Sequence, residues 1–186
     1  MPEENVEMVR KPLRVRERSR RTLDQRLAVR FPQLIDPYAR LIGRLPPTSR
    51  VRQAVMWRGT RNGMEAFNRR DVDAAVVAGS AEFELHPPRK FVEVGFEPCY
   101  RGRAGFRKYM STWADVFSDL RVEPVELIDM GDRIVLLADL AWRGQSSGVP
   151  FTGTVATVSW LKDGRATRVE VHLGHADTLR AVGLEE

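Results

Sequence analysis

A short run near the middle of the chain places ionisable side chains at alternate positions. Glu82, Glu84 and His86 are separated by single apolar residues and are followed by Pro87 and Pro88. This alternation predicts a β-strand, in which every second side chain projects to the same face. An imidazole can accept a proton near neutral pH, and a neighbouring carboxylate can orient the ring or act as a base itself. The run therefore contains candidates for acid–base chemistry, His86 and Glu84. An exposed edge carrying paired glutamates is the simpler alternative.

Polar and apolar residues also alternate in a second predicted strand near the C-terminus. One face carries Arg168, Glu170 and His172, and the other carries Val169, Val171 and Leu173. If the polar face looks into a pocket, Glu170 or His172 becomes a second proton carrier beside His86. A solvated or dimer-facing polar stripe is the alternative, and one β-bulge would exchange the two faces. The sequence leaves both orientations open.

The sequence contains no motif for binding a metal or a cofactor. Cys99 is the only cysteine, so there is neither an internal disulfide nor a thiol cluster for zinc, and no activating base is predicted beside it. The three histidines include no H-x-x-x-H pair on a helix, His172 and His175 are three residues apart across a strand end, and glycine-rich phosphate loops are absent. We therefore predict no metal site and no cofactor.

The clearest helical pattern lies between residues 103 and 120. Its apolar residues recur at steps of three and four and are Phe106, Tyr109, Met110, Trp113, Val116, Phe117 and Leu120. One helical face is therefore aromatic and buried. We expect Tyr109 and Trp113, with Leu140 and Trp142 from later strands, to form an apolar lining that suits a ring-bearing or lipophilic ligand. Each of them taken singly is explained as core.

The remaining elements fall into helices first and strands later. Residues 22–49 predict two short amphipathic helices broken near Pro32, the second capped by Asp36. A third helix follows Thr48 or Ser49, and a short one starts at Asp71, runs through 78 and ends at Gly79. Along residues 121–173 apolar side chains recur at every second position, which predicts an antiparallel meander. A last helix is predicted over residues 175–184. This order indicates an α+β fold.

Charge is divided unevenly along the chain. Residues 1–70 contain 17 Lys and Arg against 7 Asp and Glu, whereas residues 71–186 contain 13 against 18. The basic character therefore belongs to the N-terminal part, where residues 1–21 predict a disordered tail. This tail has two interpretations: a basic arm that binds nucleic acid or anionic lipid, and a solvated segment without a partner. The lack of interleaved aromatic residues favours the second. No apolar run is long enough for a membrane span and no signal peptide is evident, so cytoplasm is the expected compartment.

Five segments in order resemble the nuclear transport factor 2-like superfamily, in its SnoaL-like and ketosteroid-isomerase-like branch. They are residues 66–71 (AFNRRD), 83–87 (FELHP), 100–102 (YRG), 160–165 (WLKDGR) and 176–184 (ADTLRAVGL). The resemblance implies a cone-shaped α+β fold, in which a curved, mostly antiparallel sheet wraps over helices. It covers a domain of residues 50–186, preceded by the tail 1–21 and a helical extension 22–49.

This resemblance implies a deep apolar pocket for a small hydrophobic molecule and a homodimer through the outer sheet face. His86 falls where ketosteroid isomerases carry their proton-abstracting aspartate. The positions of the isomerases' two oxyanion donors are occupied here by Gly63 and Ala156, so steroid isomerisation by that mechanism is not expected. Two alternatives remain open: a cyclase, dehydratase or isomerase reaction of another kind, and a non-catalytic binding or dimerisation module. Ala156 is among the residues expected to contact a ligand.

Overall fold

The protein is an α+β domain built on one open, curved, mostly antiparallel sheet. The computed structural model describes residues 9–12, 19–144 and 149–183. Within these ranges the strands are β1 Val9–Pro12, β2 Gly79–His86, β3 Tyr100–Arg101, β4 Phe117–Asp129, β5 Arg133–Gly144, β6 Pro150–Lys162 and β7 Arg165–Leu173. Their order across the sheet is β1-β4-β5-β6-β7-β2-β3. Only the β2–β7 pair is parallel, so the predicted meander and fold class are confirmed.

Seven helices and one 3-10 turn accompany this sheet in the described residues. They are α1 Leu23–Arg30, the turn Pro32–Leu34, α2 Ile35–Gly43, α3 Arg50–Asn68, α4 Val72–Ala75, α5 Arg89–Val92, α6 Gly102–Val116 and α7 His175–Ala181. Helices α3 and α6 pack on the inner face of the sheet, and α7 packs on the outer face. None of the described helices has both the length and the apolar character needed to cross a membrane.

Helix α6 supplies the aromatic centre of the core, but it is shorter than predicted. Tyr109 and Trp113 are almost fully buried and pack edge-to-face, with ring centroids 6.1 Å apart. The helix ends at Val116, whereas the sequence pattern extended to residue 120. Phe117 instead begins β4 and pairs with Gly144 of β5, because the neighbouring strand satisfies the backbone groups of this segment.

Both faces of the sheet are covered near the β4–β5 turn. Leu127 and Ile128 are adjacent residues of β4, and each is fully buried on a different face. Leu127 packs toward α3, and Ile128 packs beneath Leu179 of α7. A register shift between Pro124 and Glu126 marks a β-bulge that re-aims the following side chains. Apolar residues on both sides of one strand are therefore explained by two separate packed layers.

The N-terminal extension is fastened to the domain by a buried arginine. Arg52 of α3 forms a bidentate ion pair with Asp129, at 2.7 and 2.8 Å, and both side chains are only 2% exposed. The same guanidinium donates to the carbonyl oxygens of Gly43, the last residue of α2, and of Leu45 just beyond it, and to that of Gly131 in the β4–β5 turn. One side chain therefore joins the end of the extension to the sheet.

Helix α2 also packs directly on the turn between β6 and β7. Gly164 has a φ of +72°, and a Cβ atom there would lie 2.0 Å from the carbonyl oxygen of Ala39, so only glycine fits. Asp36 was predicted to cap α2, but the helix begins at Ile35 as a continuation of the preceding 3-10 turn. Asp36 instead pairs with Arg165 at 3.0 Å.

The other predicted helix ends are confirmed in part. Ser49 caps α3 and Asp71 caps α4, each accepting a backbone N–H three residues ahead. Helix α4 ends at Ala75 rather than at residue 78, and Gly79 begins β2 instead of terminating the helix. The chain therefore enters the sheet sooner than its composition indicated.

The basic N-terminal segment contains a strand that the sequence did not predict. Residues 9–12 form β1, which pairs antiparallel with Glu126–Asp129 of β4. An edge strand presents unpaired backbone N–H and C=O groups, and an extended segment of any composition can pair with them. The prediction of a disordered tail is therefore wrong for these four residues, while residues 1–8 and 13–18 lie outside the described ranges.

Candidate functional site

The inner face of the sheet and the helices enclose an open cavity of about 960 Å³. Strands β2, β4, β5, β6 and β7 form one wall, and α3, α4 and α6 form the other. Helices α1 and α2 of the extension surround its mouth. The cavity is therefore lined both by the cone-shaped domain and by the segment 22–49 that precedes it.

Apolar side chains dominate the cavity wall. Leu85, Leu140, Val155 and Val171 line it from four strands, and Phe106 lines it from α6. Such a wall favours a ligand that buries hydrocarbon or aromatic surface and disfavours one that carries an unpaired charge.

A few polar groups interrupt this apolar wall. Thr157 and Ser159 line it from β6. The indole N–H of Trp113 is also buried. Burial raises the pKa of Tyr109 far above its ordinary range, and a hydrogen bond with the Trp113 side chain opposes this rise. Tyr109 is therefore a neutral phenol whose polar neighbour is Trp113.

The charged groups among the described lining residues are all paired. Asp24 forms an ion pair with Arg58 near the mouth, and Arg165 binds both Asp36 and the carbonyl oxygen of Gly79. Burial lowers the pKa of Arg165, with Asp36 acting in the opposite direction. No histidine is present among the described residues that line the cavity. The wall thus lacks an unpaired base.

The predicted acid–base residues come together, but on the outer face of the sheet. In β2 the inward-facing residues are Phe83 and Leu85, which are buried and line the cavity, so Glu84 and His86 face outward. In β7 the valines line the cavity, so Glu170 and His172 also face outward. The location predicted for Glu84 and His86 in the cone is therefore wrong, and for Glu170 and His172, whose orientation the sequence left open, the outward alternative is the one observed. Strand parity placed them correctly relative to one another, but it could not decide which face was inside.

Parallel pairing of β2 and β7 makes these residues neighbours. His86 lies opposite Glu170, and Glu84 lies opposite Arg168. His86 Nε2 is 3.1 Å from a Glu84 carboxylate oxygen. Glu170 accepts from Arg168 at 2.9 Å. These side chains are half-buried and form a polar patch on the sheet exterior.

Cys99 also belongs to this outer patch. Its Sγ is 3.8 Å from His86 Nε2, and Arg101 pairs with Glu84 at 2.9 Å. The β2–β3 register pairs Glu84 with Arg101 and Leu85 with Tyr100, which brings Cys99 beside His86. Nothing in the sequence indicated this contact, because the intervening loop decides where Cys99 lies.

The residues predicted to contact a ligand are divided between two environments. Tyr109, Trp113 and Leu140 lie in the cavity wall. Trp142 is not part of the lining and stacks on Phe151, with ring centroids 5.9 Å apart.

Ala156 was assigned to the wrong face of the sheet. It is fully buried on the outer face, in the cluster that includes Leu179 of α7, while Val155 and Thr157 face the cavity. Gly63, the other position without an oxyanion donor, does line the cavity. The sequence comparison was therefore displaced by one residue in β6.

The extension is the part of the site that sequence reasoning missed. Four side chains of the extension line the mouth although all are substantially exposed: Leu27 of α1, Phe31 directly after it, Leu34 of the 3-10 turn and Tyr38 of α2. Their three- and four-residue spacing predicted amphipathic helices correctly. The spacing did not reveal that their apolar faces would border a cavity instead of a closed core.

Comparison with known proteins agrees with this architecture. A model of the SnoaL-like domain matches residues 60–169, which is more than half of the chain. The chain belongs to the SnoaL-like domain family. The extension lies outside the matched residues of this SnoaL-like domain. No curated protein matches the chain.

Solved structures with the same fold include several nuclear transport factor 2-like proteins. One from Burkholderia pseudomallei, of unknown function, is 24% identical, with 66% of this chain and 93% of that chain covered and a TM-score of 0.59. TerC, crystallised with polyporic acid, is 22% identical, with 68% and 95% covered and a TM-score of 0.58. AclR, a putative hydroxylase from Streptomyces galilaeus, is 16% identical, with 70% and 96% covered and a TM-score of 0.51. At these identities the likeness shows the fold.

Proposed function

We propose that this SnoaL-like domain binds a small, largely apolar molecule, with aromatic or alicyclic rings, in its cone cavity. The observation that carries the proposal is the cavity itself, whose volume of about 960 Å³ lies in the range of ligand pockets and whose wall is predominantly apolar. Its few polar groups include the hydroxyls of Thr157 and Ser159. A ligand with one acceptor, such as a carbonyl or ether oxygen, would take a hydrogen bond from such a hydroxyl.

The cavity mouth gives independent support for this proposal. Phe31 is 41% exposed and Leu34 is 61% exposed, and both lie where a bound molecule would cover them. Clustered exposed apolar side chains typically mark a binding surface. Ligand binding would bury this surface and stabilise the folded protein by an amount that rises with the logarithm of ligand concentration above Kd.

Binding without acid–base catalysis is the form of the proposal that the cavity favours. Asp24 is the only carboxylate among the described lining residues, and it is paired with Arg58. Glu84, His86, Glu170 and His172 lie on the opposite face of the sheet. TerC was crystallised with polyporic acid, a ring-bearing molecule, which makes a ring-bearing ligand a reasonable first class to test here.

A fluorescent probe tests the proposal in solution. Phenylnaphthylamine is neutral and ring-bearing, and its emission rises when it leaves water for an apolar pocket. We expect saturable enhancement with the full chain. Val169→Lys places an ammonium group on the cavity wall. This variant should bind the probe at least tenfold more weakly, a loss of about 1.4 kcal/mol, since an apolar pocket solvates an unpaired charge poorly.

Glu82→Lys provides the matched control, because Glu82 is exposed outside the cavity on β2. It introduces the same ammonium group into the same sheet and should leave probe affinity unchanged. Circular dichroism and thermal unfolding should confirm that both variants fold. Equal affinities for the two variants, or no saturable enhancement with the unmodified protein, would refute binding in the cavity.

A further inference from the structure

Three side chains of different chemistry converge on the outer face of the sheet, away from the cavity. Ligand atoms of Glu84, His86 and Cys99 all lie within 4.8 Å of one another. Nε2 of His86 is the shared neighbour, at 3.1 Å from a Glu84 carboxylate oxygen and 3.8 Å from Cys99 Sγ. A carboxylate, an imidazole and a thiol are three of the donor types that bind Zn²⁺.

Two of the three separations are close to those of donors around one tetrahedral ion. Zn–N, Zn–O and Zn–S bonds of about 2.0, 2.0 and 2.3 Å at tetrahedral angles place neighbouring N and O atoms about 3.3 Å apart and neighbouring N and S atoms about 3.5 Å apart. The two observed distances differ from these by only a few tenths of an ångström. Small side-chain rotations would therefore complete the coordination.

A catalytic Cys–His–carboxylate arrangement does not fit the same contacts. Such an arrangement uses both ring nitrogens, one toward the thiol and the other toward the orienting carboxylate. Here Glu84 and Cys99 approach the same atom, His86 Nε2. A cation bound between the three side chains would take the place of the Nε2 proton and use Nε2 as its imidazole ligand.

The backbone holds the three donors in place from two adjacent strands. Glu84 and His86 occupy alternate positions of β2, and Cys99 directly precedes β3, which pairs with β2. The Glu84 and His86 side chains are each 27% exposed, so an ion can reach them from solvent. Arg101 pairs with the other oxygen of the Glu84 carboxylate, at 2.9 Å, and so holds this side chain beside His86.

We infer that Glu84, His86 and Cys99 form a site for one Zn²⁺ ion on the outer face of the sheet. Three protein ligands leave the fourth tetrahedral position for water. Glu170 lies opposite His86 in β7, where its carboxylate can accept a hydrogen bond from that water. Metal binding converts the Cys99 thiol to a thiolate and releases its proton to solvent.

Cobalt spectroscopy of the untagged full chain tests this site. Co²⁺ replaces Zn²⁺ in tetrahedral sites and gives a sulfur-to-cobalt charge-transfer band when a thiolate is bound. We expect one Co²⁺ per chain, a charge-transfer band that Cys99→Ser abolishes, and displacement of the cobalt by Zn²⁺. Glu84→Gln should weaken metal binding at least about tenfold, because even outer-shell changes at metal sites cost about 10–100-fold.

Glu82→Gln is the matched control, since it makes the same chemical change two residues earlier in β2 and should leave cobalt affinity unchanged. Alkylation of Cys99 gives a second readout, which Zn²⁺ should slow in the unmodified chain but not in His86→Ala. Cobalt bound without the charge-transfer band, equal affinity in Cys99→Ser, or no binding at all would overturn the inference. None of these results depends on probe binding in the cavity.

Discussion

Replacement of Arg52 tests how the extension is joined to the domain. Arg52→Met preserves much of the side-chain length but removes the guanidinium. Five hydrogen bonds disappear, two of them to Asp129 and the others to the carbonyl oxygens of Gly43, Leu45 and Gly131. The carboxylate of Asp129 then keeps only the backbone N–H of Gly131, at 2.9 Å. A buried negative charge is left without its counter-ion.

The expected cost is large because both partners are removed from solvent. Breaking a buried ion pair by deleting one partner costs about 3–5 kcal/mol of unfolding free energy. For a chain of this size that corresponds to a fall of roughly 6–20 °C in the melting temperature. Asp129→Leu/Arg52→Met removes both charges, so it should be more stable than the sum of the single losses predicts, by about 2 kcal/mol.

Urea unfolding of the unmodified chain, both single variants and the double variant measures this coupling. Limited proteolysis in the extension should also accelerate in Arg52→Met, because the carbonyl groups after α2 lose their donor. A loss below about 1 kcal/mol for Arg52→Met, the value of an exposed pair, would refute the reasoning. Simple additivity in the double variant would refute it as well.

Two further predictions concern the same attachment. Gly164→Ala should destabilise the protein more than Gly183→Ala in thermal unfolding: both glycines have positive φ, but only at Gly164 would the new Cβ meet the carbonyl of Ala39. Equal losses would show that α2 does not rest on this turn. The hydrogen bond from Arg21 lowers the pKa of Asp71, so this pair contributes stability above the ordinary aspartate range and loses it as the pH falls through the lowered value. Arg21→Gln should therefore be less stable than the unmodified chain at neutral pH and equal to it in strong acid; a difference that persists in acid would contradict this.

Much of the fold was predictable because each element carries its own period. The step of three and four residues identified α6 through Tyr109 and Trp113, and the period of two identified the meander 121–173. Asp163 and Gly164 marked the β6–β7 turn, where both residues have positive φ. These signals are local, and each is sufficient to define its own segment.

Features that depend on distant partners were not predictable in the same way. The end of α6 at Val116 depends on pairing between β4 and the end of β5, and β1 exists because β4 leaves an edge free. Neither partner lies near the affected segment in sequence. Local propensity consequently gave a helix that was too long and a tail without structure.

The candidate site was also predictable only where its features are local in sequence. Alternation correctly grouped Glu84 with His86 and Glu170 with His172, but the choice between inner and outer face is a property of the whole sheet. The phenylalanine and leucine between the β2 polar residues, Phe83 and Leu85, were the better guide to the cavity. The contact between Cys99 and His86 needed the intervening loop. Dimerisation through the outer face and a role for the basic tail stay predictions.

A crystal structure with phenylnaphthylamine bound tests the central claim most directly. We predict electron density for the probe inside the cone, against Trp113 and Tyr109, with Leu27 and Phe31 of the extension covering its outer edge. Density only at the protein surface, or a cavity closed by inward collapse of the extension, would contradict the assignment of this cavity as a binding site.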